Sequence, residues 1–195
     1  MIQKHISILI TAIILLSGCT NPLILKNDAE FNDQSANAIV LLRTFSLEDS
    51  VLCIGIIEIG PCDPYASWAY VQNGVVDWKY NDLYLRSGNG ELNAFLAKPG
   101  MYALDFVDSY GGSIRMLPRP NGLPPRKIAH FTVNAGEVVY VGDLSVETLD
   151  RTFDFLLHDN YEDAVQFMKK NYPEITEPII KRLMTVFDKT GSIQK

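Results

Sequence analysis

Histidine, cysteine and tryptophan are scarce in this chain, at three, three and two of 195 residues. No grouping of His and Cys at metal-ligand spacing exists, so neither a metal nor a cofactor is expected. Excess positive charge is also missing, with 17 Lys and Arg against 23 Asp and Glu. Without surplus cations to displace phosphate counterions, bulk nucleic-acid binding is excluded. No apolar run reaches the ~20 residues that a membrane-spanning helix needs. No G-x-S-x-G, H-E-x-x-H, P-loop or G-x-G-x-x-G stands in the chain, which removes the enzymes and nucleotide binders that those motifs mark. Long internal repeats and low-complexity stretches are absent as well. What remains is an ordinary globular composition, 47% apolar and 21% charged. The length suits one domain, or one domain with a small appendage, burying roughly 70% of its unfolded surface.

The N-terminus is the most specific segment. Lys4 precedes an apolar run over residues 6–16 (ISILITAIILL), too short to span a bilayer but suited to a signal-peptide core. The run ends in Leu16-Ser17-Gly18-Cys19, which resembles the bacterial lipobox. That resemblance implies a signal peptide over residues 1–18, lipidation of the Cys19 sulfur, cleavage before Cys19 and acylation of the new amino group. Several acyl chains, each contributing about 0.8 kcal/mol per buried CH₂, anchor a protein stably where one chain is marginal. Thr20 follows, where an Asp would retain enteric-type lipoproteins at the inner membrane. The resemblance therefore implies the outer membrane, facing the periplasm, in a Gram-negative organism, and the cell membrane in a Gram-positive one. Loss of Lys4 with the leader leaves 16 basic against 23 acidic side chains, a net charge of −7. Residues 19–37 read as a lipidated N-terminus and tether, whose 17 residues from Asn21 extend at most about 60 Å.

Once Cys19 is acylated, Cys53 and Cys62 remain. An even pair in an exported protein suggests a disulfide across the Gly60-Pro61 loop, and two separately buried thiols are the alternative. Closing about ten residues stabilises by roughly 2–3 kcal/mol in the chain-entropy picture.

Residues 38–158 carry the strand signals. AIVLLRTF (38–45) and VLCIGIIEI (51–59) are β-branched and apolar, and Asn73-Gly74 sits between two β-rich runs, a strong hairpin signal. Further strands are expected over residues 92–97, 101–107, 128–133, 138–146 and 151–157, separated by Gly, Asn and Pro turns. The fold class is mainly β, an antiparallel β-sandwich with a C-terminal pair of short α-helices over residues 159–190. In the first helix Asp159 and Glu162 have capping-box spacing, and Tyr161, Ala164, Val165, Met168 and Tyr172 share a face. In the second, Thr176 is the cap and Ile180, Leu183, Met184 and Phe187 repeat the pattern. Pro99-Gly100-Met101-Tyr102, followed by GEVVYVGD over residues 136–143, resembles small uncharacterised Gram-negative lipoproteins with a prealbumin-like β-sandwich. That resemblance spans residues 38–146 and brings no catalytic residues.

Four groups are candidates for chemistry or binding. A two-residue turn at Asn73-Gly74 sets Tyr70 opposite Asp77 and Trp68 opposite Lys79, so all four share one face. Such a surface stacks on sugar rings or anchors a protein partner, unless the two rings lie under the C-terminal helices or pair with Lys79. Arg115, Arg119, Arg126 and Lys127 flank a Pro-rich loop with no intervening acid, a local basic patch suited to lipid phosphates or an acidic partner, or simply solvated. His130 and His158 are the mature chain's histidines. Either suits a hydrolase arrangement with Ser109, Ser113 or Asp108, against a structural or solvated role. Asp105, Asp108 and Asp143 read as strand-end and turn carboxylates rather than a metal cluster. No catalytic residue is assigned. The expected function is a non-enzymatic binding or envelope-structural lipoprotein, with an envelope protein or glycan as partner; an envelope hydrolase or a glycan-binding module is the alternative.

Overall fold

A computed structural model describes residues 23–26, 28–46, 52–54, 59–61, 65–72, 75–76, 85–88, 90–109, 112–115, 128–149 and 152–187. The described residues are mainly β, with two larger sheets, one small hairpin and one helix. The first sheet runs β12 (Thr152–His158), β11 (Val138–Leu149), β1 (Ala38–Phe45) and β7 (Asn93–Ala97), with β13 (Ile179–Lys181) also on β11. The second runs β14 (Thr185–Val186), β10 (Ala129–Val133), β8 (Gly100–Ser109), β4 (Tyr65–Gln72) and β5 (Val75–Val76). In it, β6 (Leu85–Ser87) pairs with β4, and β9 (Gly112–Arg115) pairs with β8. The hairpin joins β2 (Leu52–Ile54) to β3 (Ile59–Pro61).

Strand β1 shows why the sheets stack. Its residues 38–42 are apolar on both faces, the mark of a strand buried on both sides. Ala38, Val40 and Leu42 enter a core shared with Trp68, Tyr102 and Phe131 of the second sheet. Ile39 and Leu41 face the other way, into a smaller core with Ala164, Met168 and Tyr172. The latter residues belong to α1 (Tyr161–Asn171), which covers the outer face of the first sheet. Its acids, Glu162 and Asp163, sit in the first turn and Lys169 and Lys170 in the last, as the helix dipole favours.

Three expectations are corrected. The first sheet is not purely antiparallel, because β1 and β13 both run parallel to β11. The second C-terminal helix does not form. Ile179 and Ile180, β-branched and just after Pro178, pair with the open side of β11, and Thr185-Val186 pairs with β10. Sheet edges offer these residues backbone partners that an isolated short helix lacks. The segment is thus a strap from one sheet to the other, with Met184 N–H donating to Val141 and Phe187 N–H to Ile128. Finally, the described residues from Leu23 to Asn37 are not a free tether. Ile24 bridges Phe95, Leu25 N–H donates to Ala94, and Leu25 and Phe31 are buried beside α1. Tyr172 clinches this, its hydroxyl donating to the Leu25 carbonyl at 3.0 Å. At Gly136 (φ 73°) a Cβ would lie 2.2 Å from the Asp33 carbonyl oxygen, so the incoming chain passes directly over the β10–β11 turn.

Arg182 pins the strap. Its guanidinium donates to both Glu137 oxygens, at 2.7 and 3.0 Å, and to the Thr132 carbonyl. These bonds and those from Asn134 lower the Glu137 pKa from its ordinary 4.5 to about 2. A carboxylate depressed in the folded state stabilises above its unfolded pKa and stops doing so as pH falls through the folded one. Denaturant midpoints are therefore expected to drop between about pH 4.5 and pH 2. In Arg182→Met that acid-dependent part should shrink while stability at neutral pH also falls, both read from urea unfolding across the range.

Candidate functional site

Most polar side chains of a β protein face water, so a buried carboxylate marks a place where the chain has been organised around charge. Asp143, in β11, is 0% exposed. A single extra residue in β11 creates its setting: Leu41 pairs with Tyr140 but Arg43 with Asp143, a bulge that includes Gly142. Gly142 has φ 97°, and a Cβ there would approach the Leu157 side chain to 2.6 Å. The bulge turns Asp143 to the helix-covered face, beside Arg43 of β1.

Arg43 Nη2 lies 2.7 Å from Asp143 Oδ2 and 3.2 Å from Asp163 Oδ2, one nitrogen joining a buried carboxylate to an exposed one on α1. Asn160 Nδ2 donates to the same Asp143 oxygen at 2.8 Å. Asn160 thus precedes the helix but spends its side chain on Asp143 rather than on capping, while Asp159 accepts from Tyr161 N–H. Burial disfavours the Arg43 cation, yet the attraction of Asp143 and hydrogen bonds to both carboxylates outweigh it and raise its pKa. Tyr140 receives the Asn160 N–H and donates to the His158 carbonyl, and burial raises its phenol pKa against the Asn160 bond, which lowers it.

His158 closes the cluster. Its Nε2 lies 2.9 Å from Ser145 Oγ, and its ring tilts against Phe45 at 5.2 Å. The β11–β12 hairpin explains the meeting: Asp143 pairs with His158 and Ser145 with Leu156, so Ser145 sits diagonally across from the imidazole. Ser145, which the sequence patterns do not single out, is therefore a serine beside a histidine. Ser113 pairs with Asp108 and Ser109 with Gly112, both in the second sheet. Asp143 meets Arg43 and Asn160 through Oδ2 alone, and its Oδ1 is buried without a hydrogen bond. What the arrangement accomplishes chemically is attachment, tying β1, the β11–β12 hairpin and α1 together through charge.

The other candidates are dispersed. Trp68 is 0% exposed, packed on Phe131 in the shared core, and Tyr70 is half-buried against Tyr102. The expected aromatic binding face is therefore interior at Trp68. Trp68 and Tyr70 do share a face, and that face packs into the core. Gln72 does pair with Val75, but Trp68 pairs with Leu85 rather than Lys79. Asp77, Lys79, Arg119, Arg126, Lys127, Cys19 and Cys62 lie outside the described residues. Only the backbone is described at Cys53 and Arg115, which pair with Gly60 and Phe106. His130 stacks on Phe187. Asp105 is buried, so like Asp143 it is not a solvated strand-end carboxylate. Among the described residues no three His, Cys, Asp or Glu gather as a metal site.

Removing one member of a buried ion pair strands the other charge, whereas an exposed pair contributes little. Asp143→Ala should lower unfolding free energy by about 3 kcal/mol, and Asp163→Ala by less than about 1 kcal/mol. Chemical denaturation of both variants checks this ordering, and equal losses would show that Asp143 is not the centre of the cluster. Set beside known proteins, the chain matches no family model, no curated protein and no solved structure.

Proposed function

We propose that the chain is a lipid-anchored envelope protein whose β-sandwich acts as a non-enzymatic binding or structural module in the periplasm. The observation that carries this reading is Leu16-Ser17-Gly18-Cys19 directly behind an eleven-residue apolar run. The acyl chains on Cys19 hold the protein in the outer membrane, and its partner is another envelope component. In the oxidising periplasm Cys53 and Cys62, an even pair left once Cys19 is acylated, form a disulfide.

Replacing Cys19 tests the anchor. Cys19→Ala should abolish incorporation of labelled palmitate and release the protein from the membrane fraction, and unchanged retention would defeat the reading.

One observation favours a hydrolase instead, the 2.9 Å contact between Ser145 Oγ and His158 Nε2. A nucleophile must meet substrate, and Ser145 is 0% exposed, with its carboxylate neighbour turned to Arg43. Intact-mass measurement after treatment with a fluorophosphonate should show no adduct. An adduct lost in Ser145→Ala would move the assignment to the hydrolase.

A further inference from the structure

Resting on the reading that Cys19 is acylated, we infer that the corner where β7 turns into β8 lies against the membrane surface. The body would then sit directly on the bilayer rather than standing off it. Leu23 is the first described residue, and it is already fixed, its carbonyl accepting from Leu96 N–H at 2.7 Å. Ile24 bridges Phe95 in antiparallel sense. Only Thr20, Asn21 and Pro22 separate Cys19 from Leu23, a reach of at most about 14 Å over the four Cα–Cα steps. The anchor therefore leaves the body beside the end of β7, and the ~60 Å excursion that residues 21–37 suggest as a free coil is unavailable.

This corner has the character of a contact surface. Ile24 and Met101 are 41% and 40% exposed, two of the four large apolar side chains open to solvent among the described residues. Met101 follows the turn that ends β7, and that turn is held from both sides. Tyr70 donates its hydroxyl to the Pro99 carbonyl at 3.1 Å and Tyr102 to the Lys98 carbonyl at 3.0 Å. A turn braced this way presents Met101 in a fixed position, and exposed apolar groups near an acyl anchor gain by entering the headgroup region. Leu156 is a matched control. It is 39% exposed, and its partner Ser145 lies seven residues along β11 from Val138, the end nearest the corner, or about 23 Å at the strand rise.

The test uses the full chain, lipidated in a bacterial host and reconstituted in phosphatidylethanolamine–phosphatidylglycerol vesicles. A photo-crosslinking amino acid replaces Met101 or Leu156 in turn. Lipid adducts are expected at position 101 and at least fivefold fewer at 156. Inserting a fifteen-residue Gly/Ser linker between Pro22 and Leu23 should remove the adducts at 101 while the protein stays with the vesicles. Equal labelling at both positions, or labelling that survives the linker, would overturn the orientation and leave the anchor standing. Mass analysis of the N-terminal peptide keeps the two apart, because an unacylated Cys19 removes the anchor and the orientation together.

Discussion

The parallel pairing of β1 with β11 is the constraint from which the remaining geometry follows. It joins residues about a hundred positions apart, so no local turn can set its register. The register comes instead from burial on two faces, Val40 and Leu42 into the shared core and Ile39 and Leu41 beneath α1. A slip of one residue would exchange those faces and move Arg43 away from Asp143. The Gly142 bulge absorbs the mismatch between the two strands and delivers the carboxylate to the guanidinium. With that contact made, Asn160 and Asp163 have a place to dock, and α1 is fixed at its N-terminal end.

The second consequence of the pairing is an open flank on β11. Its first half accepts β13 and its second half β12, so two short segments share one strand. The chain after α1 uses the first half and then crosses to β10, which binds the two sheets through backbone hydrogen bonds as well as through their common core. Glu137 and Arg182 sit where this crossing begins.

The strands were legible wherever short-range chemistry decides. Alternation and β-branching marked β1, β8, β10, β11 and β12, Asn73-Gly74 marked its turn, and the apolar stripe from Tyr161 to Tyr172 marked α1. The second helix misled because Ile180, Leu183, Met184 and Phe187 fit a helical period, while the outcome depended on distant edges at β11 and β10. Leu23 and Leu25 read as tether residues for the same reason, since their partner β7 lies seventy residues away. In the polar cluster, the Ser145–His158 contact lies within the antiparallel pairing of two strands adjacent in sequence, β11 and β12, where a local register brings the two together. Arg43 with Asp143 was not recoverable, because parallel neighbours leave no turn to count from.

That same long-range pairing bears on how the chain acquires its structure. A strand made early must wait for a partner synthesised about a hundred residues later, and contacts of such separation slow folding. During the wait, the sequence AIVLL in β1 is an uncovered, β-prone apolar segment, the kind that associates between molecules. A truncation before residue 138 would therefore leave β1 without the parallel partner that lines one of its edges, an apolar edge open to association between molecules.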